Sequence, residues 1–213
     1  MTTTTRKPTG ERREEIVLAV LRIIGEQGLT SLTTATLAAE VGVTTGALYR
    51  HFASLDEILI QTVRLGVERI ESTFPDSTLR PLDRLLALAR NRVSLLGDDP
   101  GLAWLLRSEQ AYLSLPRAAA ERLRDVARRS RQFVLDTLRE GIDDGSIRGD
   151  IDPDLLLVPV LGTIHAVIGF GRNVRRRTGG EHPDPEHVLL ALVRLLEPFS
   201  NKEQTLTKKG TKG

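Results

Sequence analysis

The polar side chains with the most specific chemistry lie within residues 41–52, in the run Val-Gly-Val-Thr-Thr-Gly-Ala-Leu-Tyr-Arg-His-Phe. Leu48 and the phenylalanine four residues later form one apolar face of a short helix, whereas Thr45, Tyr49 and Arg50 project elsewhere. Hydroxyl and guanidinium groups on the free face of a helix are suited to hydrogen bonding with nucleic acid. The run is typical of the turn and second helix of a helix-turn-helix, which places a helix in the major groove of DNA.

Residues around this run begin and end the helices that hold it. Gly42 can take the left-handed conformation that ends one helix, and Thr44 can cap the next. Ser54 opens a Ser-x-x-Glu capping box, and Thr33 or Thr34 can cap the preceding helix. A first helix has one apolar face, formed by Ile16, Ala19, Val20, Ile23 and Ile24. Three helices with a shared core are therefore predicted within the first 52 residues.

Residues 11–59 resemble the DNA-binding domain of the TetR family of bacterial transcriptional regulators. The resemblance is carried by Ile16, Ala19, Gly28-Leu29, Thr33-Thr34, Leu37-Ala38, Val41-Gly42-Val43, Gly46, Leu48-Tyr49, His51-Phe52 and Glu57-Ile58-Leu59. It implies that the start of the second helix and the exposed face of the third contact DNA. The residues at those positions are Thr33, Thr44, Thr45, Ala47, Tyr49, Arg50 and His51.

The chemistry of these candidates separates positioning from sequence recognition. The hydroxyls of Thr33, Thr44 and Tyr49 suit phosphate oxygens, which fix register without specifying sequence. Arg50 can form a bidentate contact with a guanine edge, although a surface arginine is more often solvated or bound to phosphate. The sequence departs from the family at Leu55, where many members have a lysine that holds a phosphate.

Composition limits the other function classes. The chain has 213 residues and a formal charge of only +2, so DNA affinity must come from local placement of charge. It has no cysteine, which excludes disulfides and thiol catalysis. We find neither a nucleophile–base pairing nor a glycine-rich phosphate loop and expect no enzyme activity and no cofactor. The acids and histidines of residues 181–187 could chelate a metal by type, but a helix N-terminus also collects acids, and we expect no metal site.

The helical patterns predict an all-α protein of about nine helices, with a three-helix DNA-binding domain followed by a helical ligand-binding and dimerisation domain. Residues 1–10 are expected to be a disordered arm, residues 11–54 the helix-turn-helix domain, residues 55–200 the regulatory domain, and residues 201–213 a disordered tail. Because no secretory signal or membrane-spanning run is apparent, we expect a cytoplasmic protein.

The last two predicted helices favour a homodimer. Residues 155–170 are apolar in nearly every direction, so this helix must be covered on both sides. Residues 187–199 add an amphipathic partner, and a two-fold dimer through both helices agrees with the resemblance. The alternative is that a single-chain core covers both sides. The predicted interface residues are Leu161, Gly162, His165, Gly169, Leu192 and Leu195.

The resemblance also implies a small-molecule pocket in the second domain. Large or polar-tipped candidates to face it are Phe74, Trp104, Tyr112, Phe133 and His165, although each is more often simple core. The scarcity of aromatic residues mildly favours an aliphatic or acyl-type effector. We expect a repressor that a small molecule releases from a near-palindromic operator. The alternative is a DNA-bound protein whose second domain recruits a protein partner through a basic helix face, formed by Arg122, Arg124, Arg128, Arg129 and Arg131.

Overall fold

The computed structural model describes residues 9–169 and 183–199, and within those ranges it contains ten α-helices and no strand. The helices are α1 (Thr9–Gln27), α2 (Thr34–Val41), α3 (Thr45–Leu48), α4 (Leu55–Glu71), α5 (Pro81–Asp98), α6 (Pro100–Arg107), α7 (Glu109–Ser114), α8 (Arg117–Asp143), α9 (Pro153–Gly169) and α10 (Pro185–Leu196). The predicted all-α class is confirmed. None of these helices combines the length and apolar content needed to cross a bilayer.

Helices α1, α2 and α3 form the N-terminal unit, and α1 also packs against α4 and α6. The apolar face predicted for α1 is confirmed, because Ile16, Val20 and Ile23 are buried. Since α1 begins at Thr9, the predicted disordered arm overlaps this helix at its last two residues. Residues 1–8 and the tail predicted from residue 201 lie outside the described residues.

The sequence predicts one helix from Leu102 to Leu113, since neither glycine nor proline interrupts it, whereas the structure has two helices there. The chain is extended at Ser108, with φ −95° and ψ 122°, and this residue separates α6 from α7. The cap of α6 is Asp99, whose side chain accepts a hydrogen bond of 2.8 Å from the Leu102 backbone N–H. The break ends α6 at Arg107, and α6 packs against α1.

Helices α5, α8, α9 and α10 form the body of the second domain. Helix α9 packs against the other three, and α8 packs against α4 and α5. An ion pair between Arg84 of α5 and Glu140 of α8 joins two of these helices, with nitrogen–oxygen distances of 2.6 and 3.1 Å. The loop after α8 is fixed to the end of α10, because the Arg148 backbone N–H donates to the Leu196 carbonyl at 2.8 Å.

Candidate nucleic-acid interface and effector cavity

Threonine caps position α2 and α3 against each other. Thr33 caps α2, and its Oγ1 accepts a hydrogen bond from the Thr36 backbone N–H at 3.1 Å. Gly42 is left-handed, with φ 71°, where α2 ends. Thr44 then caps α3 by accepting from the Ala47 backbone N–H at 3.2 Å. The predicted caps are confirmed, and Thr33, rather than the alternative residue after it, caps α2.

Helix α3 is shorter than the predicted helix. It ends at Leu48, and backbone hydrogen bonds from Arg50 to Ala47 and from His51 to Leu48 continue the chain as tight turns. Leu48 and Phe52 are buried as predicted. These two buried side chains anchor the short helix, and its opposite side faces solvent.

The predicted DNA-contact residues lie close together on this solvent side. Thr33, Thr44, Thr45, Tyr49 and Arg50 are exposed, whereas Ala47 and His51 are half-buried. The guanidinium of Arg50 has no hydrogen-bond or ion-pair partner anywhere in the part of the chain that is described. It is therefore free to bind an external acceptor.

Tyr49 connects the end of α3 to the beginning of α2. Its hydroxyl lies 3.2 Å from Oγ1 of Thr34, so the two hydroxyls are hydrogen-bonded. This contact holds Tyr49, at the end of α3, beside the start of α2. The family resemblance associates both of these regions with DNA. The sequence identifies Thr34 only as a possible cap, because its contact with Tyr49 spans two helices.

Arg13 of α1 contacts the residues that follow α3 and holds them in place. Its guanidinium donates to the His51 carbonyl and to Glu57 Oε1, and it lies 4.1 Å above the centroid of the Phe52 ring. A hydrogen bond from the Ala53 backbone N–H, together with that from Arg13, holds the pKa of Glu57 below its ordinary value. Arg13 thus positions the turn that follows α3 (residues 49–52, the reading turn).

Two other residues at this interface have limited access to DNA. Leu55, which occupies the position of the family's lysine, is half-buried and packs against the core at the start of α4. Nδ1 of His51 is buried and has no hydrogen-bond partner within the described ranges. A contact between His51 and DNA would have to use another part of the ring.

A cavity of about 270 Å³ lies between α4, α5, α6, α8 and α9. Its interior is aliphatic, and its polar lining includes three arginines, one histidine and one serine. None of the lining residues is acidic. They are Ile70, Leu88, Arg92, Leu96, Leu106, Arg107, Val126, Ala127, Ser130, Arg131, Val134, Leu161, Ile164, His165 and Ile168.

The basic groups of the cavity differ in exposure. Arg107, Arg131 and His165 are exposed and therefore lie at its solvent side, whereas Arg92 is half-buried. Partial desolvation at the cavity wall, and then the charges of Arg107 and Arg92, lower the pKa of His165 below its ordinary value and so favour the neutral imidazole. This combination of apolar walls and basic groups suits an amphipathic anion.

Of the predicted ligand residues, only His165 lines this cavity. Phe74 and Phe133 instead pack edge to face, with ring centroids 5.0 Å apart. The Tyr112 ring lies under the Arg124 guanidinium, at 5.5 Å, and Trp104 is half-buried against the core. The rest of the lining was not predicted, because it consists mainly of aliphatic side chains and arginines, which have no distinctive pattern in the sequence.

The predicted dimer residues divide between exposed and buried positions. Gly162 and His165 are exposed, and Leu195 is 67% exposed. Leu161 and Gly169 are half-buried, whereas Leu192 is buried against the core of its own chain and has little surface for a partner. Leu155 and Val158 of α9 are each 65% exposed and extend the apolar surface. Both belong to the all-round apolar helix.

The basic face predicted on α8 is partly compensated by neighbouring acids. Arg128 pairs with Asp125 and Arg129 with Glu71, and Arg131 lies 3.9 Å from Asp154. Arg122 and Arg124 have no ion pair among the described residues.

Comparison with known proteins gives two family matches. Residues 16–62 match the model for bacterial regulatory proteins of the tetR family, and residues 78–169 match the model for the tetracyclin repressor-like C-terminal domain. The HTH-type transcriptional repressor KstR2 of Mycobacterium tuberculosis is 29% identical over 149 residues, which are 68% of this chain and 74% of that protein.

Solved structures share the fold. KstR2 of Mycobacterium tuberculosis superposes with a TM-score of 0.72 at 24% identity, covering 87% of this chain and 95% of that one. AibR in complex with isovaleryl coenzyme A and operator DNA gives 0.71 at 20% identity, covering 88% and 100%. FadR of Bacillus subtilis in complex with stearoyl-CoA gives 0.61 at 21% identity, covering 86% and 97%.

The matched proteins are DNA-binding regulators rather than enzymes, and this agrees with the exposed face of α3. The helix-turn-helix and the second helical domain are both matched, in the order that the family requires. This chain belongs to the TetR family of bacterial transcriptional regulators.

Proposed function

We propose that the protein is a cytoplasmic homodimeric repressor that leaves a near-palindromic operator when an acyl-CoA thioester binds its cavity. The effector class is inferred from the lining of the cavity, which combines aliphatic walls with exposed arginines and includes no acidic residue. An acyl group suits the walls, and the phosphates of coenzyme A suit Arg107 and Arg131.

The DNA contacts of the proposal are those of the exposed face of α3 and the start of α2. Arg50 reads a guanine edge, while Thr33, Thr44 and Tyr49 hold phosphates and fix the register. Thr45, Ala47 and His51 complete the contact surface. The free guanidinium of Arg50 supports its assignment as the main base-reading group.

The dimer of the proposal forms through α9 and α10. Leu155, Val158 and Leu195 supply exposed apolar surface there, with Gly162 permitting close helix approach. A two-fold axis through this surface would place two reading helices on half-sites one or more turns of DNA apart. The operator would therefore be a near-palindrome.

Two solved structures of similar fold support the effector class. AibR was captured with isovaleryl coenzyme A and operator DNA, and FadR of Bacillus subtilis with stearoyl-CoA. The cavity of this chain, at about 270 Å³, lies just below the range of roughly 300–1,000 Å³ that drug-sized ligands occupy. A short acyl group is therefore favoured over a long one, with the rest of the coenzyme outside.

The effector would act through α6. Leu106 and Arg107 line the cavity, and the same helix packs against α1, which holds the reading turn through Arg13. A thioester that fits the cavity better when α6 is displaced would favour a dimer with wrongly spaced reading helices.

The test begins with selection of bound sequences from random DNA, followed by fluorescence-anisotropy titration of the selected operator. Hexanoyl-CoA is then added, with coenzyme A alone as the control. We expect the thioester to weaken operator binding by at least about tenfold, the size of a typical allosteric coupling. Arg107→Ala should bind operator normally and lose this response, whereas Arg122→Ala, an exposed arginine on α8 away from the cavity, should respond like the wild type.

Two results would contradict the proposal at different levels. Selection of no DNA sequence would remove the reading function assigned to α3. Operator binding that no short- or long-chain thioester weakens would remove the effector class. Capture of a specific protein partner in that second case would favour the protein-recruiting alternative.

A further inference from the structure

Arg92 of α5 is the least exposed arginine of the effector cavity. Its Nε donates a hydrogen bond to Thr73 Oγ1, and one terminal nitrogen donates to Ser130 Oγ at 3.0 Å. The guanidinium carbon also lies 5.1 Å from the centroid of the Phe74 ring. A guanidinium has five N–H donors, so three are left without a partner in the described residues.

The charge of Arg92 is not balanced by any carboxylate in the described part of the chain. Other arginines of α5 are paired, Arg84 with Glu140 and Arg90 with Glu186. Burial lowers the pKa of Arg92 to about 10, and the group still carries its proton at neutral pH. A charge removed from water without a counter-ion costs free energy, and a cavity with no acidic lining supplies none.

We propose that Arg92 binds a carboxylate on the acyl group of the effector, so that the effector is an acyl-CoA with a second, free carboxylate. This inference rests on the proposed function for the thioester. The three free N–H groups can meet a planar carboxylate end-on, which is the bidentate geometry that an arginine favours. Arg107 and Arg131, at the solvent side, remain for the phosphates.

Cavity size and polarity support a small acidic acyl group. The aliphatic lining of the cavity includes Leu88, Leu96 and Ile164, which suit a short methylene chain. A fully apolar acyl group would leave the Arg92 charge desolvated and unpaired, and would therefore bind less well. The arrangement would thus select dicarboxylic over monocarboxylic acyl groups.

The test compares thioesters of equal chain length by isothermal titration calorimetry on the full-length protein. Succinyl-, glutaryl- and adipyl-CoA are measured against butyryl-, valeryl- and hexanoyl-CoA, and free glutarate and adipate are measured alone. We expect the wild type to bind at least one dicarboxylic thioester with a Kd about tenfold or more below that of the monocarboxylic thioester of equal length. A charge-assisted hydrogen bond typically contributes a difference of this size. Arg92→Met should lose this preference and bind the monocarboxylic thioesters at least as well as the wild type.

Arg92→Lys keeps a cation in the cavity and should retain part of the preference. It also covers the case in which the methionine variant does not fold. Wild-type protein that binds the monocarboxylic thioesters as tightly as their dicarboxylic counterparts would overturn the inference. If no thioester binds but free glutarate or adipate binds in a manner that requires Arg92, the coenzyme A assignment fails and the carboxylate site stands. If neither thioesters nor free acids bind, both proposals fail.

Discussion

Gly101 and Leu21 are in backbone contact, because a Cβ on Gly101 would lie only 1.9 Å from the carbonyl oxygen of Leu21. Helix α6 therefore crosses α1 at a distance that only glycine permits, and Gly25 of α1 lies at the same crossing. Between one and two turns further along α6, Leu106 and Arg107 line the cavity. The crossing thus couples the cavity wall to the helix that supports the reading turn.

Replacement of Gly101 by alanine should destabilise the protein. The new methyl group meets backbone rather than a flexible side chain. We therefore expect the free energy of unfolding to fall by an amount in the upper part of the range of about 1–3 kcal/mol that overpacking typically costs. For a protein of this size, each kcal/mol lowers Tm by about 2–4 °C. Gly97→Ala is the matched control, since a Cβ there meets nothing within 4 Å. Its Tm should equal or exceed that of the wild type, because alanine favours a helix. Equal Tm values for the wild type and Gly101→Ala in a calorimetric scan would contradict the close crossing.

Local signals explain why the N-terminal unit could be predicted from the sequence. A cap such as Thr44 is decided by residues within three positions, and the apolar face of α1 by the helical repeat. The break at Ser108 escaped prediction because neither glycine nor proline marks it. The cavity escaped as well, because Arg92 and Leu161 acquire their common environment only when α5 and α9 pack together. Periodicity likewise places Leu192 and Leu195 on α10 without saying which one the chain's own core covers.

Arg50 should contribute sequence recognition, whereas Tyr49 should contribute register. Arg50→Ala should weaken binding to the selected operator by about 1–3 kcal/mol and relax the preference at one base pair, as expected when a bidentate guanine contact is lost. Tyr49→Phe removes the hydroxyl bonded to Thr34. It should weaken binding to every DNA sequence to about the same extent, and by less than Arg50→Ala weakens binding to the operator. Anisotropy titrations with single-base operator variants measure both effects, and Arg122→Ala serves as the control for lost surface charge. Wild-type affinity in both variants would show that the contact assignment is wrong.

Leu195 should be required for dimerisation. Its side chain is 67% exposed in the single chain, and a two-fold axis through α10 would bury it in both protomers. Leu195→Glu would then bury two unpaired carboxylates, each costing about 3–5 kcal/mol, and should give monomers at micromolar concentration in sedimentation velocity. Leu113→Glu on α7, where leucine is 79% exposed, is the control and should remain dimeric. Dissociation by the control and not by Leu195→Glu would place the interface elsewhere.

The ion pair between Arg84 and Glu140 should make stability depend on pH in the acid range. The hydrogen bond from Arg84 holds the pKa of Glu140 below its ordinary value of 4.5. The folded protein therefore binds this proton less readily than the unfolded chain, and the contribution of the pair is complete above about pH 4.5. It is lost as the pH falls through the pKa of the folded state.

Glu140→Gln should accordingly lower Tm at neutral pH, and the difference from the wild type should shrink as the pH falls below 4.5. Glu26→Gln is the control, because Glu26 is exposed and has no ion pair or hydrogen bond within the described ranges. Its Tm should follow the wild type at every pH in the same series of thermal melts. A difference for Glu140→Gln that stays constant down to acid pH would mean that the pair stabilises the fold through packing between α5 and α8, and not through the charge of the carboxylate.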